Sequence, residues 1–206
     1  MEEYLAKSVL FGTPGFSEVL SFDHFKQILR CLVFYDLDKP PILEDSLYKF
    51  RFLLNHILHV SRKLFKPKEF LTIDESMIKY NGRHKFKVYM PLKPIKYGFK
   101  VYVTTESSSG YVLNWVLHEG KKDSLVEIVN RLIDGYEDQG YTIVMDRFYT
   151  TLEVVKILTE KGFGVYGAIM KNRLHCTKAM QDKIERIDKG ESIFFCSLDK
   201  KMLLSC

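Results

Sequence analysis

The 206-residue sequence has no C-x-x-C pair, and its four cysteines, Cys31, Cys176, Cys196 and Cys206, are widely scattered. That spacing offers neither a disulfide framework nor a zinc site and makes them ordinary reduced thiols. The six histidines do not form H-E-x-x-H, and neither G-x-x-x-x-G-K-[ST] nor G-x-G-x-x-G occurs, which argues against zincin-type hydrolysis and nucleotide-dependent chemistry. No apolar run approaches the roughly 18 residues that span a bilayer, and Met1-Glu2-Glu3 is not the basic-then-apolar start of a signal peptide. A cytosolic or nuclear protein with no membrane partner is expected. Internal repeats and low-complexity tracts are also lacking, while a hydrophobic content of 46% is enough to bury a core.

One further absence is local and more informative. From Ser76 to Thr105 there is no acidic side chain, yet the stretch carries seven basic residues, Lys79, Arg83, Lys85, Lys87, Lys93, Lys96 and Lys100. Outside it, Asp and Glu slightly outnumber Lys and Arg, so the net charge of +5 resides here. A basic stretch is more often a solvated face than a nucleic-acid site, but Tyr80, Phe86, Tyr89, Tyr97 and Tyr102 interleave with these charges, which moves the reading toward a DNA backbone and leaves both open.

What the chain does contain falls into three segments. Residues 1–69 read as helical: Phe25, Ile28, Leu29, Leu32 and Val33 recur at helical spacing after Ser21, and Leu47, Phe50, Leu54, Ile57, Leu58 and Leu64 form a second stripe that Pro67 ends. At Phe70 the period changes. Phe70 to Asp74 is a short strand that stops at its aspartate, Lys85 to Met90 alternates basic with apolar residues, and Phe99–Thr104 and Tyr111–Leu117 form a pair across a Ser-Ser-Ser-Gly loop. Ser124 to Glu127 has capping-box spacing and opens a helix with Val126, Val129 and Ile133, together with Leu125 and Leu132, on its buried face. Tyr141 to Asp146 is a second apolar run ending in aspartate, followed by a capping box at Thr150–Glu153, a helix that Gly162 closes, and a strand from Gly164 to Met170. Beyond Lys171 the pattern loosens, with a helix expected over 178–187 and a strand over 192–197.

The order β-β-β-α-β-α-β lets the first and fourth strands of the core lie side by side, which would bring Asp74 and Asp146 together. Two carboxylates on neighbouring strands are hard oxygen ligands suited to Mg²⁺ or Mn²⁺ in phosphoryl transfer. An aspartate after a strand also serves as a turn former or helix cap, and spacing alone leaves both roles open.

Three stretches carry a resemblance. Leu71-Thr72-Ile73-Asp74-Glu75-Ser76-Met77, then Asn81-Gly82-Arg83 and Met90-Pro91-Leu92-Lys93-Pro94-Ile95-Lys96-Tyr97-Gly98-Phe99-Lys100, and finally Met145-Asp146-Arg147-Phe148-Tyr149-Thr150-Thr151, closely resemble the piggyBac family of DDE/D transposases. The segment from Leu20 to Leu32 is similar to that family's helical dimerisation and DNA-binding region. The resemblance implies an α/β fold: an RNase H-like mixed sheet flanked by helices over 70–170, preceded by a helical dimerisation segment over 1–69 and followed by the start of an insertion domain over 171–206. It implies a nuclear, homodimeric protein that cuts and joins double-stranded DNA at transposon ends with a TTAA target. The metal, Mg²⁺ or Mn²⁺, is held in the family by three aspartates, of which Asp74 matches the first and Asp146 the second. Arg83, Lys93, Lys96 and Lys100 match positions that would contact DNA phosphates.

The chain departs from the family in one decisive respect. The third aspartate, in a G-G-V-D-x-x-D context, has no counterpart, and neither do the cysteine-rich C-terminal zinc domain and the acidic N-terminal region. Asp182 and Glu185 have plausible spacing from Asp146 but fall where the family has its early insertion region, so neither is taken as the missing ligand. With two of three ligands, the chain is expected to be inactive in transposition by itself. The alternative expectation is a non-catalytic, transposase-derived DNA-binding or dimerising protein.

Overall fold

The computed structural model describes residues 15–36, 38, 45, 47–120 and 123–170, and beyond Met170 only 173, 182–184, 186, 188, 193–196 and 203–205. The chain divides into two compact units, Met1–Phe65 and Lys66–Cys206.

The first unit is helical where it is described, with α1 (Phe16–Val19), α2 (Phe22–Cys31) and α3 (Tyr48–Leu64). Ser21 caps α2 by accepting the His24 N–H at 3.2 Å. Asp45 holds the entry to α3, accepting from the Leu47 N–H and pairing with both Arg51 Nε and Nη2 at 2.8 and 2.6 Å. The helical spacing read from the sequence is correct, but the apolar stripes are not buried: Ile28, Leu29, Leu32, Val33, Phe50, Ile57 and Leu64 are all exposed.

The second unit is built on one mixed sheet with strands β1 (Phe70–Lys79), β2 (Lys87–Tyr89), β3 (Tyr97–Glu106), β4 (Val112–Leu117), β5 (Thr142–Met145) and β6 (Gly164–Gly167). β3 is central, pairing antiparallel with β1 on one edge and with both β2 and β4 on the other. β1 then pairs parallel with β5, and β5 with β6. Four strands in antiparallel pairing, β1 to β4, extended by two parallel ones, β5 and β6, make the RNase H-like arrangement that the resemblance implied. Two helices, α4 (Leu125–Ile133) and α5 (Leu152–Glu160), cross between the strands. A small antiparallel pair, β7 (Phe194–Cys196) and β8 (Leu203–Ser205), stands apart. β7 falls inside the strand expected over 192–197, whereas most of the helix expected over 178–187, including Glu185, lies outside the described residues.

The core forms where α4 and α5 lie on the sheet. Ile128, Val129, Leu132 and Ile133 of α4 and Val154 and Leu158 of α5 are buried, together with Leu71, Ile73, Leu113, Ile143 and Met145 from the strands. The stripe expected on α4 is buried at Val129, Leu132 and Ile133, whereas Leu125 and Val126 are only half-buried and Ile128 joins the buried face instead. Two polar groups inside this core are paired with α4 backbone: the fully buried Thr104 hydroxyl donates to the Leu132 carbonyl at 2.9 Å, and Asn114 Nδ2 donates to the Arg131 carbonyl at 2.7 Å. The capping box at α4 is present, with Ser124 and Glu127 bonding reciprocally. At α5 the cap is Thr151, not Thr150, because Thr150 turns its hydroxyl back to the Asp146 carbonyl at 2.8 Å.

One expectation about the first strand needs correction. β1 does not end at Asp74 but continues to Lys79, because its antiparallel ladder with β3 runs unbroken to the Lys79–Gly98 rung. Only the parallel ladder with β5 stops beside Asp74, at the Ile73–Met145 rung.

Candidate active site: two aspartates at the end of a parallel ladder

Asp74 and Asp146 are each the next residue after the last paired rung, Ile73–Met145, of the parallel β1–β5 ladder. Adjacent strands are separated by about 4.8 Å, so continuing this register sets the two aspartates side by side at the carboxyl end of the strands. Crevices outside the carboxyl ends of parallel strands are where α/β sheets bind ligands. The sequence separation of the pair is thus spanned by β2, β3, β4 and α4.

Each carboxylate turns one oxygen to nearby backbone. Asp74 Oδ1 accepts from the Glu75 N–H at 2.7 Å. Asp146 Oδ1 accepts from the Phe148 and Tyr149 N–H groups at 2.8 and 3.3 Å, closing an Asx-type turn that leads into α5. Asp146 is therefore a turn former, but the helix cap is Thr151. Both aspartates remain exposed.

Three basic or acidic neighbours define the electrostatics. Glu75 forms an ion pair with Lys93 at 3.0 Å, with side chains only 15% and 33% exposed respectively. Tyr149, fully buried, donates its hydroxyl to Glu75 Oε2 at 3.4 Å and stacks edge-on against Tyr102. Lys100 lies over the rings of Tyr102 and Phe148 at 4.7 and 5.1 Å.

These contacts shift the titrating groups in consistent directions. Although the residue is exposed overall, partial desolvation of its carboxyl group, followed by repulsion from the Glu75 carboxylate, raises Asp74 above the usual aspartate range. Burial alone would raise Glu75 too, but the hydrogen bond and charge of Lys93 outweigh it and hold Glu75 low. Lys93 is held high, first by its bond to Glu75 and further by the charges of Asp74 and Asp146. Burial lowers Lys100, and burial followed by the nearby carboxylates raises Tyr149.

The four basic residues singled out in the sequence thus divide. Lys93 and Lys100 are half-buried and interact with the carboxylates, whereas Lys96 is exposed at the base of the Met90–Lys96 loop and Arg83 is exposed in the turn between β1 and β2. Glu75 and Tyr149 were missed by sequence reasoning. Their signal was adjacency: Glu75 follows Asp74, and Tyr149 lies in the turn that Asp146 caps.

A hard divalent cation fits this donor set. Mg²⁺ is commonly held through one or two carboxylates, with water and substrate phosphate completing its shell, and Asp74 and Asp146 offer such a pair of exposed oxygen donors. Among the described residues there is no cluster of three His, Cys, Asp or Glu side chains that could hold a metal, and those residues offer the pair alone. No helix among the described residues is long and apolar enough to cross a membrane.

Comparison with known proteins agrees with this architecture. The family model described as Transposase IS4 matches residues 1–206. The human PiggyBac transposable element-derived protein 2 is 24% identical over 186 residues, covering 84% of this chain and 31% of the relative. The human PiggyBac transposable element-derived protein 3 is 22% identical over 142 residues, covering 63% of this chain and 24% of the relative. Among solved structures, a piggyBac transposase in a synaptic complex with hairpin DNA superimposes with a TM-score of 0.78 at 24% identity, covering 90% of this chain and 41% of that one. The chain therefore spans less than half the length of the proteins it matches. By its family match over every residue, and with a sheet that follows a piggyBac transposase, this chain belongs to the Transposase IS4 family in its piggyBac-type branch.

Proposed function

We propose that this chain carries the first two metal-binding aspartates of a piggyBac-type transposase, which cuts and joins double-stranded DNA at transposon ends by metal-dependent phosphoryl transfer. The observation that carries the reading is the β1–β5 register, which sets Asp74 and Asp146 as neighbours past the Ile73–Met145 rung with Lys93 and Lys100 beside them. Asp74 and Asp146 would hold Mg²⁺ or Mn²⁺. When bound, the cation lowers the pKa of the attacking water or 3′-hydroxyl and stabilises the leaving oxygen. The protein's own residues orient the two carboxylates, through the Asp146 turn and the Glu75 N–H, and supply positive charge for the phosphate. Lys96 and Arg83, both exposed, suit contacts with the DNA backbone farther from the reacting phosphate, and a TTAA target follows only from family resemblance. The exposed apolar stripes of α2 and α3 support a homodimer formed through the first unit, and a nuclear location follows from a DNA substrate.

Transposition itself needs a third ligand, so residues 1–206 alone bind duplex DNA without completing strand transfer. The limitation to two carboxylates among the described residues also supports the second reading, a non-catalytic DNA-binding protein derived from a transposase. A duplex titration at two salt concentrations, paired with a Mg²⁺-dependent nicking assay, tests both. Salt-sensitive binding without nicking is expected. Absence of binding even at low salt would remove DNA from either reading, and strand transfer abolished by Asp74→Ala would show the two-ligand site to be sufficient.

A further inference from the structure

Glu75 is the one carboxylate of the site that the two-aspartate scheme leaves without a purpose. It is the least exposed of the group's ion-pairing partners, and it joins three separate pieces of chain: β1, on which it sits, the Met90–Lys96 loop through Lys93 at 3.0 Å, and the Asp146 turn through the Tyr149 hydroxyl at 3.4 Å. The loop is closed on itself by the Met90 N–H to Lys96 carbonyl bond at 2.8 Å and the Lys93 N–H to Met90 carbonyl bond at 3.2 Å, so the root of the Lys93 side chain is fixed. Its ammonium ends on a flexible four-carbon stem. It therefore has three acids within its field, Glu75, Asp74 and Asp146, and its position decides whether the two aspartates face a resident cation or an open space. An ammonium that paired with the aspartates would compete directly with a divalent ion for the same oxygens.

Resting on the metal-site reading above, we propose that Glu75 is a positioning residue that sequesters the Lys93 ammonium, keeping it off Asp74 and Asp146 so that the pair stays available to a divalent cation, and leaving Lys93 at the rim to meet a phosphate. The geometry distinguishes this from Glu75 acting as a third ligand. Its two oxygens are already engaged, Oε1 by Lys93 at 3.0 Å and Oε2 by the Tyr149 hydroxyl at 3.4 Å, and its side chain is only 15% exposed, whereas both aspartates are exposed. Tyr149 contributes from the other side, since its N–H donates to Asp146 and its hydroxyl to Glu75, which ties the two carboxylates into one frame.

The test is Mn²⁺ titration calorimetry on the 206-residue chain and on Glu75→Gln, Lys93→Met and the Glu75→Gln/Lys93→Met double variant, with thermal unfolding as the check on folding. Glu75→Gln keeps the shape and the Tyr149 contact but frees the ammonium, and weakening of Mn²⁺ binding by about 10-fold or more is expected, the range found when groups around a metal site are removed. Removing the ammonium as well restores binding to within about 3-fold of the parent chain, a rescue that neither a ligating nor a merely structural Glu75 would give. Equal weakness of the double variant and Glu75→Gln overturns the proposal, as does unchanged affinity in Glu75→Gln. Mn²⁺ binding by Lys93→Met but not by the parent would show that the ammonium already occupies the aspartates, which also overturns it. Absence of Mn²⁺ binding in the parent and all variants is a separate result: it removes the metal site itself, and this inference with it.

Discussion

Gly98 offers a sharp test of the sheet architecture, because it lies where two ladders meet. On one side it pairs with Lys79 of β1 and on the other with Val88 of β2, and the residue is buried. A Cβ built there would run into the carbonyl oxygen of Ile78, with the Ile78 carbonyl carbon 2.9 Å and the Lys79 Cα 3.2 Å away. These are backbone atoms in a paired strand, so no rotamer change relieves the overlap and the strands must part. Over-packing of this kind costs about 1–3 kcal/mol, against which the smaller conformational entropy lost by alanine returns roughly 0.5–1 kcal/mol. Because the obstructing atoms are backbone, the over-packing cost falls in the upper part of its range, about 2–3 kcal/mol, and the net expectation for Gly98→Ala is a loss of about 1–2.5 kcal/mol, or a fall in Tm of roughly 2–10 °C for a chain of this size. Urea and thermal unfolding followed by far-UV circular dichroism measure it. A variant with stability within about 0.3 kcal/mol of the parent would show that β1 and β3 do not approach as described, and with them the register that sets Asp74 opposite Val103 would fall.

Three other perturbations probe the core and the site. Leu132→Ala empties a fully buried position under the sheet and should cost about 2–5 kcal/mol in urea unfolding; a loss below about 1 kcal/mol would contradict the packing of α4. Asp146→Ala removes the acceptor for two turn N–H groups and should destabilise by about 1–2 kcal/mol, whereas Asp146→Asn, which keeps an acceptor, should stay within about 0.5 kcal/mol in the same measurement. The Glu106 carboxyl is pulled down from 4.5 to about 2 by hydrogen bonds from Ser109 and, despite opposing burial, from Ser108. Because its folded pKa is depressed, the stability it contributes is complete above pH 4.5 and declines as pH falls toward 2. Glu106→Gln should flatten that part of a pH series of unfolding midpoints, and an unchanged slope would refute the assignment.

Local signals were the most legible. The Ser124–Glu127 capping box and the aspartate after the Tyr141 run are short-range patterns, and each marks its element in the structure: the box opens α4, and Asp146 follows the end of β5. The Thr150 cap was displaced by one residue because the Asp146 carbonyl competes for the Thr150 hydroxyl, a contact that depends on how the turn closes. The length of β1 was under-read for a related reason: the apolar run stops at Ile73, but the hydrogen-bonded ladder with β3 is indifferent to side-chain polarity and carries Glu75 and Ser76 onward as strand. That same continuation hid Glu75. Counting charges from Ser76 made the basic stretch look unopposed, while the acid one residue earlier is the partner that neutralises Lys93 across the fold. Lys93 and Lys100 accordingly read as surface cations in the sequence and are half-buried members of the carboxylate site in the structure. The helical stripes of α2 and α3 were legible as amphipathic, but periodicity identifies an apolar face without identifying what covers it.

The central claim is that Asp74 and Asp146 form one cation-binding pair, and Mn²⁺ titration calorimetry comparing the parent chain with Asp74→Asn and Asp146→Asn tests it most directly. Saturable binding in the parent that is lost in both single variants is the predicted result. Binding that survives both substitutions unchanged would place the cation elsewhere and contradict the account.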